Sequence, residues 1–324
     1  MYNVRKIEEN INMWGHFQGK ILFDEDLAPR TTFKVGGKTP LFIEPENIDS
    51  FICALKALRK EHVPFFVLGG GSNIVVPDEG VTYPIISTGG LKSLTYDRQL
   101  QCVTCQAGVT IKELIDFCLA IGLGGVENFA GLPGTIGGAV FMNARCYDVS
   151  ISDVLISACY VDIDNPHNEI QQYVKKDVDW EYKVSPFQTF LKGNTVLSGT
   201  FTVKVLSGDK IGESQALCQK YIEDRRTKGH FSYPSAGSVF KNNRSFGMPS
   251  GKIVDEVGLR GMQIGGAQVA PWHGNFIINT GHATAKDILQ LTNSIIDKVF
   301  EKKGWKLETE IIFLPKIIVS ENLS

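Results

Sequence analysis

Gly131–Ala144, which reads GLPGTIGGAVFMNA, is the stretch whose residue types point most directly to chemistry. Glycine or proline stands at five of its first eight positions. Glycine reaches positive φ and has no Cβ, so such a loop brings backbone N–H groups close to a ligand. N–H groups that converge on one concavity bind anions, and a diphosphate suits them well. The alternative for a single loop of this kind is a tight turn that leads into a buried strand.

Gly69–Asn73, with the sequence GGGSN, is another glycine loop and comes first along the chain. A short apolar strand is predicted before it at 64–68, and another after it at 74–76. This order excludes a Rossmann domain, in which the glycine turn must open a helix. Two glycine loops in one chain favour a ligand with an extended, phosphate-bearing backbone.

Composition and charge exclude several classes of protein. The 324 residues are 43% apolar and 21% charged, with a formal net charge of −2. We expect two or three domains, and neither a basic face for nucleic acid nor a polybasic membrane patch. The N-terminus lacks an apolar signal-peptide core, and no apolar run approaches the roughly 20 residues of a membrane span. Seven scattered cysteines predict a reduced, cytoplasmic compartment. Cys102 and Cys105 are expected to be core thiols, and no metal site is expected.

Hydrophobic periodicity places the remaining elements. Helices are predicted at 46–60, from the Thr110–Glu113 capping box onward, at 211–228, from an N-cap at Ser250 to Gly258, and from Thr284 to Gly304. Strands are predicted at 40–44, within 93–109, and at 154–163, 195–205, 276–278 and 305–314. The pattern is that of an α+β domain over the first 205 or so residues, followed by a smaller α/β domain.

Five motifs occur in one order along most of the chain. They are GGGSN at 69–73, GLPGTIGGA at 131–139, YKxSxF at 182–187, PSAGSxFKN at 234–242 and LExE at 307–310. Together they resemble the UDP-N-acetylenolpyruvoylglucosamine reductase family, from Thr31 to Phe313. The resemblance implies an FAD-binding domain of the vanillyl-alcohol-oxidase (PCMH) type in two subdomains, 1–92 and 93–207. A substrate domain at 208–304 and a C-terminal strand and tail at 305–324 complete the expected organisation.

The resemblance also implies a reaction. Bound FAD, with NADPH as reductant, would reduce the enolpyruvyl ether of UDP-N-acetylglucosamine enolpyruvate to the lactyl ether of UDP-N-acetylmuramate, a peptidoglycan precursor. Both glycine loops are assigned to the cofactor, which carries a diphosphate. The residues so assigned are Gly69, Gly70, Gly71, Ser72, Asn73, Gly134, Thr135, Ile136, Gly137, Gly138 and Ala139.

Three residues are expected to be catalytic. Hydride addition to the enolpyruvyl group sends charge onto its carboxylate, which must be stabilised before the neighbouring carbon is protonated. By resemblance, Ser238 is the proton donor, and Glu310 and Lys183 stabilise the enolate. Alternatively, Ser238 bonds its own turn and Glu310 is a solvated edge carboxylate, the role expected of Glu308. The residues expected to contact the UDP-sugar are Tyr182, Lys228 and Asn242.

The chain departs from the family pattern at two positions. Lys183 stands where the family usually has arginine, which grips a carboxylate through two parallel N–H bonds. We therefore expect reduced rather than absent turnover. Arg145 stands where the family commonly has glycine, and either pairing with a phosphate or pointing to solvent fits the sequence. The spacing from Lys183 to Ser238 leaves little room for the tyrosine-bearing insertion of one family branch, so the chain resembles the shorter branch.

Two other functions compete with this interpretation. One is a flavin oxidoreductase of the same fold that acts on another small molecule. The motifs at 234–242 and 307–310 argue against it, because they lie outside the glycine loops. The other is a catalytically weakened regulator that binds flavin or a nucleotide sugar. Lys183 favours the regulator, whereas the presence of both Ser238 and Glu310 argues against it.

Overall fold

The computed structural model describes residues 3–13, 15–162, 165 and 169–314. Its helices are Val4–Met13 (α1), Ile48–Lys60 (α2), Ile111–Ala120 (α3), Ile136–Phe141 (α4), Ile151–Val154 (α5), Lys210–Thr227 (α6), Ser250–Glu256 (α7) and Ala285–Lys303 (α8). Its strands are Gly19–Asp26 (β1), Lys38–Pro45 (β2), Phe66–Leu68 (β3), Ile74–Val75 (β4), Ile85–Ser87 (β5), Leu94–Asp97 (β6), Cys102–Gln106 (β7), Leu123–Gly124 (β8), Arg145–Cys146 (β9), Val149–Ser150 (β10), Leu155–Asp162 (β11), Ile170–Val174 (β12), Asn194–Thr202 (β13), Lys204–Val205 (β14), Gln263–Ile264 (β15), Ala267–Val269 (β16), Ile277–Asn279 (β17) and Ile312–Phe313 (β18).

The first layer of the fold is a four-stranded sheet in the order β1-β2-β5-β3. Helices α1 and α2 share a core with this sheet. Along α2, Phe51, Leu55 and Leu58 are buried at helical spacing, and the Asn47 side chain caps the first turn by accepting from the Ser50 N–H. The predicted helix at 46–60 is confirmed, with its start two residues later. Strand β3 ends at Leu68, so the sheet delivers the chain directly into the 69–73 loop.

A five-stranded antiparallel sheet, in the order β12-β11-β13-β7-β6, forms the second unit. Helices α3 and α4 pack against it. The predicted capping box of α3 is confirmed, because Thr110 Oγ1 accepts from the Glu113 N–H and Glu113 Oε2 accepts from the Thr110 N–H. Cys102 and Cys105 are buried in β7, as expected of core thiols. The predicted end of β11 at residue 163 lies outside the described residues.

Helix α6 packs with the second unit, although it precedes the third unit in sequence. Its Cys218 is buried in the core of the second unit, with Tyr221 and Ile222 packed against it. This packing favours a boundary after the helix. The boundary at 207/208 stays a prediction.

The third unit contains α7, the three-stranded sheet β15-β16-β17 and α8. The Thr284–Asp287 capping box that opens α8 is confirmed, and Gly304 ends the helix in the left-handed region at φ 70°. The predicted N-cap of α7 is wrong. Pro249 occupies the cap position, and Ser250 is the first helical residue, whose Oγ donates to the Lys241 carbonyl.

The C-terminal segment changes partner along its length, so the single strand predicted at 305–314 is wrong. The Lys241 N–H donates to the Glu308 carbonyl, and the Glu310 N–H donates to the Val239 carbonyl at 2.7 Å. From Ile312 the chain instead runs parallel to β4, and the Ile312 N–H donates to the Asn73 carbonyl. A single ladder of hydrogen bonds cannot continue when the segment leaves residues 239–241 and joins β4. Within 305–314, only β18 is therefore regular strand. The exchange places Glu310 between the Ser238 segment and the first glycine loop.

Among the described residues, none of the helices combines the length and the hydropathy needed to cross a membrane.

Candidate active site

The two glycine loops lie against each other. A Cβ on Gly70 would stand 3.0 Å from Gly134 Cα, and one on Gly69 would stand 3.0 Å from Thr135 Oγ1. Gly134 itself has φ +105°, and a Cβ there would lie 2.6 Å from Ser72 Oγ. Only residues without a side chain permit this approach. The loops therefore form one cradle, built from the end of β3 and the start of α4.

The cradle has the donors that a diphosphate requires. Within the part of the chain that the structure describes, the N–H groups of residues 69–73 donate to no other residue. Thr135 Oγ1 is buried between the loops without a hydrogen-bond partner. Backbone donors without an acceptor, together with an unsatisfied buried hydroxyl beside them, fit an anionic cofactor backbone. The alternative of a turn into a buried strand is wrong, because the second loop opens α4.

Three of the residues assigned to the cofactor use their N–H groups within the fold. The Ile136 and Gly137 N–H groups donate to the Val109 and Ala107 carbonyls, and the Ala139 N–H donates to the Thr135 carbonyl. These bonds fix the second loop against the sheet. Any cofactor contact from these three residues must come from other atoms.

Lys183 and Glu310 form a largely buried ion pair. Lys183 Nζ lies 2.5 Å from Glu310 Oε1, and the two side chains are only 13% and 10% exposed. Lys183 occupies a tight turn in the left-handed region at φ 60°, which the Val184 N–H closes by donating to the Glu181 carbonyl. The pair joins the second unit to the C-terminal segment.

The surroundings of the ion pair tie it to the cradle. Asn73, in the first glycine loop, donates its Nδ2 hydrogen to the Glu310 carbonyl at 3.0 Å. On the other side, Ser185 Oγ donates to the Phe141 carbonyl at the end of α4, and Gln188 Nε2 donates to both Phe141 and Lys183 carbonyls. The backbone of each charged residue is thus tied to a glycine loop or to the helix that follows one.

Ser238 lies on the segment that pairs with Glu310, since the Glu310 N–H donates to the carbonyl of its neighbour Val239. Its Oγ makes no hydrogen bond to the described residues, which disfavours the alternative of a serine bonded to its own turn. Ser238 also lines a cavity of about 220 Å³ together with Asn242, Trp272 and His273. A free hydroxyl at a cavity, on the segment that pairs with Glu310, is suited to proton transfer.

The expected sugar-binding residues are more exposed. Lys228 Nζ donates to Asp224 Oδ2 at 2.7 Å, and Tyr147 donates its hydroxyl hydrogen to the same oxygen. Tyr182 is exposed, and Asn242 uses Oδ1 to accept from the Ser250 N–H. Glu308 is 72% exposed and pairs with Lys241, which confirms it as the solvated carboxylate. Arg145 pairs with Asp148 at 3.0 Å and is one-third exposed, so its partner is a carboxylate.

Sequence reasoning missed a group of side chains around α6 and the Ser238 cavity. Arg225 lies against Gly131, donates to Cys146 Sγ at 3.6 Å, and has a buried Nε without a partner. His230 stacks edge-on against Phe276, and burial, with Arg225 nearby, lowers the pKa of its imidazole to about 4. The basic end of α6 was the only sequence signal for these residues.

Comparison with known families and proteins gives consistent results. Residues 229–314 match the family model for the UDP-N-acetylenolpyruvoylglucosamine reductase C-terminal domain, and residues 39–165 match the FAD binding domain model. The chain is 43% identical to the UDP-N-acetylenolpyruvoylglucosamine reductase of Treponema denticola, over 91% of this chain and 94% of that protein. It is 37% identical to the corresponding protein of Treponema pallidum, over 89% and 91% of the two chains.

A solved structure agrees with the sequence relatives. The crystal structure of UDP-N-acetylenolpyruvylglucosamine reductase from Thermus caldophilus superposes with a TM-score of 0.71 at 30% identity, over 93% of this chain and all of that one. The expected α+β fold, with an FAD-binding domain of the PCMH type, is confirmed. The fold, the two domain matches and these relatives together show that the chain belongs to the UDP-N-acetylenolpyruvoylglucosamine reductase family.

Proposed function

We propose that this chain reduces UDP-N-acetylglucosamine enolpyruvate to UDP-N-acetylmuramate. The observation that carries the proposal is the largely buried Lys183–Glu310 pair, held between the glycine cradle and the segment that carries Ser238. The names of the curated relatives and the match to an FAD-binding domain support it. The cradle would hold FAD, which, with NADPH as the reductant, would supply the hydride. A different small molecule as substrate is not favoured, because the C-terminal match covers 229–314, the region that contains Ser238 and Glu310.

The side chains and backbone of the protein bind the cofactor and the substrate and stabilise the negative charge that develops on the substrate. The free N–H groups of residues 69–73 and the Thr135 hydroxyl hold the cofactor diphosphate. Lys228 and Asn242, together with Tyr182, bind the UDP-sugar. Asp224 positions the Lys228 ammonium by accepting its hydrogen bond.

Charge that develops on the substrate carboxylate is stabilised by the ion pair. Lys183 and Glu310 are desolvated, so an anion beside them interacts with the ammonium more strongly than it would in water. The Lys183 ammonium has three N–H donors, so it donates to the enolate while it keeps its bond to Glu310. Glu310 stabilises the enolate through Lys183, because it holds the ammonium in place by accepting that bond. The Ser238 hydroxyl then donates its proton to the neighbouring carbon, which completes the lactyl ether.

We also propose that the reaction takes place in the cytoplasm. The seven cysteines are all free thiols, and such thiols persist in a reducing compartment.

The proposal is tested by steady-state turnover of purified holoenzyme. NADPH consumption must depend on added UDP-N-acetylglucosamine enolpyruvate and must yield UDP-N-acetylmuramate. Ser238→Ala is expected to lower kcat roughly 10²–10⁴-fold, because it removes the proton donor. Ser235→Ala, in the same turn, is the matched control and should keep full turnover. Equal turnover by both variants would remove Ser238 from the mechanism, and NADPH consumption that ignores the enolpyruvyl substrate would refute the function.

A further inference from the structure

Asn143 is a buried side chain that takes part in none of the steps described above. It follows Met142, the C-cap of α4, and is only 2% exposed. Its Nδ2 donates to the Glu181 carbonyl at 2.8 Å, and its Oδ1 accepts from the Ser152 N–H at 3.2 Å. Only one orientation of the amide satisfies both partners, because a carbonyl accepts and an N–H donates. The Asn143 side chain is therefore fixed between α5 and the segment that carries Lys183.

The Glu181 carbonyl belongs to the turn that presents Lys183. The same oxygen also accepts from the Val184 N–H at 3.1 Å, which closes the turn around Lys183. Lys183 lies in the left-handed region at φ 60°, which a lysine keeps only where the surrounding structure holds it there. Asn143 supplies such a contact, and it does so from the end of the helix that the second glycine loop opens.

The bond from Asn143 complements the one from Ser185. Ser185 Oγ donates to the Phe141 carbonyl at 2.6 Å, and so ties the chain just after Lys183 to the end of α4. Asn143 ties the chain just before Lys183 to the same end of α4, through Glu181. The turn is thus held on both sides of Lys183, and a loss of either bond lets it move relative to the cradle.

We propose that Asn143 is a positioning residue for Lys183, an inference that rests on the proposed function. By holding the Glu181 carbonyl it fixes the turn, so that the Lys183 ammonium stays bonded to Glu310 and faces the substrate carboxylate. Asn143 acts through Lys183 and not on the substrate. An amide suits this task because it donates and accepts in fixed directions without adding a charge. Asparagine also tolerates the φ of 42° that this position requires.

The test follows flavin absorbance in the two half-reactions of purified holoenzyme. Asn143→Gly removes both side-chain bonds and keeps the backbone conformation, because glycine adopts positive φ readily. Reoxidation by UDP-N-acetylglucosamine enolpyruvate should slow roughly 10–100-fold, the effect of misplacing a catalytic group by about 1 Å. Reduction by NADPH should keep its rate, since that step builds no enolate. The matched control is Asn194→Gly, which loses a bond from Nδ2 to the Leu191 carbonyl at 2.9 Å and should keep both rates.

A second variant separates the two bonds of Asn143. Asn143→Asp keeps the acceptor for the Ser152 N–H but places an acceptor against the Glu181 carbonyl. It should slow reoxidation as Asn143→Gly does, and it serves as the test if Asn143→Gly fails to fold. In the Lys183→Met background, Asn143→Gly should slow reoxidation no further, because a residue that acts through Lys183 has no effect once that ammonium is removed.

Four results would overturn the inference. They are an unchanged reoxidation rate in Asn143→Gly, equal slowing of both half-reactions, a full further loss in the Lys183→Met background, and full activity in Asn143→Asp. Equal slowing would indicate a general structural defect. Full activity in Asn143→Asp would assign the effect to the Ser152 bond.

A stability measurement lets the inference and the proposed function fail separately. Urea unfolding of Lys183→Met, Glu310→Gln and the double variant gives the coupling between the two charges, and this coupling should fall in the Asn143→Gly background. A fall in coupling, in a holoenzyme that does not reduce the enolpyruvyl substrate, would refute only the proposed function. Enolpyruvyl reduction with coupling and reoxidation that ignore Asn143 would refute only the inference.

Discussion

Removal of the Lys183 charge is the perturbation with the clearest physical consequence. In Lys183→Met, the Glu310 carboxylate loses a partner 2.5 Å away and stays in surroundings that leave it 10% exposed. Breaking one side of a buried pair costs about 3–5 kcal/mol, because an uncompensated charge stays buried. We expect that loss in the free energy of unfolding at neutral pH. Loss of the group that stabilises the enolate should also lower kcat, by roughly 10²–10³-fold.

The stability part of this prediction is checked by urea unfolding of a double-mutant cycle. Lys183→Met and Glu310→Gln should each destabilise, and the double variant should be more stable than the sum of the two losses implies, by at least about 1 kcal/mol. Additive losses would show that the two groups do not interact, and would refute the ion pair as the basis of the argument. Lys183→Arg should retain or exceed the original turnover, since arginine binds a carboxylate through two N–H bonds. Full activity in Lys183→Met would remove Lys183 from the mechanism.

Three further outcomes are expected. Gly70→Ala should lower the FAD content, measured as flavin absorbance per protein, because the new Cβ would press on the Gly134 backbone at 3.0 Å. Gly212→Ala is the control, and it should keep the full FAD content because the space around Gly212 is open. Thr110→Ala removes the cap of α3 and should lower the free energy of unfolding by about 1 kcal/mol. The control is Thr82→Ala on the surface, and the prediction is contradicted if both variants are equally stable. Burial lowers the pKa of His230 to about 4, whereas the same imidazole in the unfolded chain has its ordinary pKa near 6.5. Between these two pH values the unfolded chain binds a proton that the native fold does not bind. Stability should therefore fall as the pH drops through that window, and His230→Gln should make the fall shallower in urea titrations at several pH values.

Local sequence signals predicted the elements that depend on local chemistry. The capping boxes at Thr110 and Thr284 are confirmed, because side chain and backbone partners lie three residues apart and need no tertiary contact. The same holds for the 69–73 loop between two short strands. Ser250 shows the limit of this reasoning. A serine before a helical pattern resembles a cap, but a tertiary bond to the Lys241 carbonyl draws its hydroxyl away.

The arrangement of the site depends on contacts that sequence patterns do not contain. Lys183 and Glu310 are 127 positions apart, and their ion pair follows from the partner exchange of the C-terminal segment. Alternation along a single strand could not predict that the Glu310 side chain would be only 10% exposed while that of Glu308, two residues earlier, is 72% exposed. Trp272 carried no motif, and its place beside the Ser238 cavity becomes visible only when the loops are assembled. The resemblance to the family indicated which residues belong to the site, whereas the fold determines how they meet.

The central claim, that this chain reduces an enolpyruvyl nucleotide sugar, is tested most directly by separating the two half-reactions. Purified holoenzyme is reduced with NADPH under anaerobic conditions, UDP-N-acetylglucosamine enolpyruvate is added, and the flavin absorbance is followed. Prompt reoxidation of the flavin with formation of UDP-N-acetylmuramate is the predicted result, and it would show that Lys183 suffices where the family usually has arginine. A flavin that is reduced by NADPH and stays reduced after the enolpyruvyl substrate is added would contradict the account.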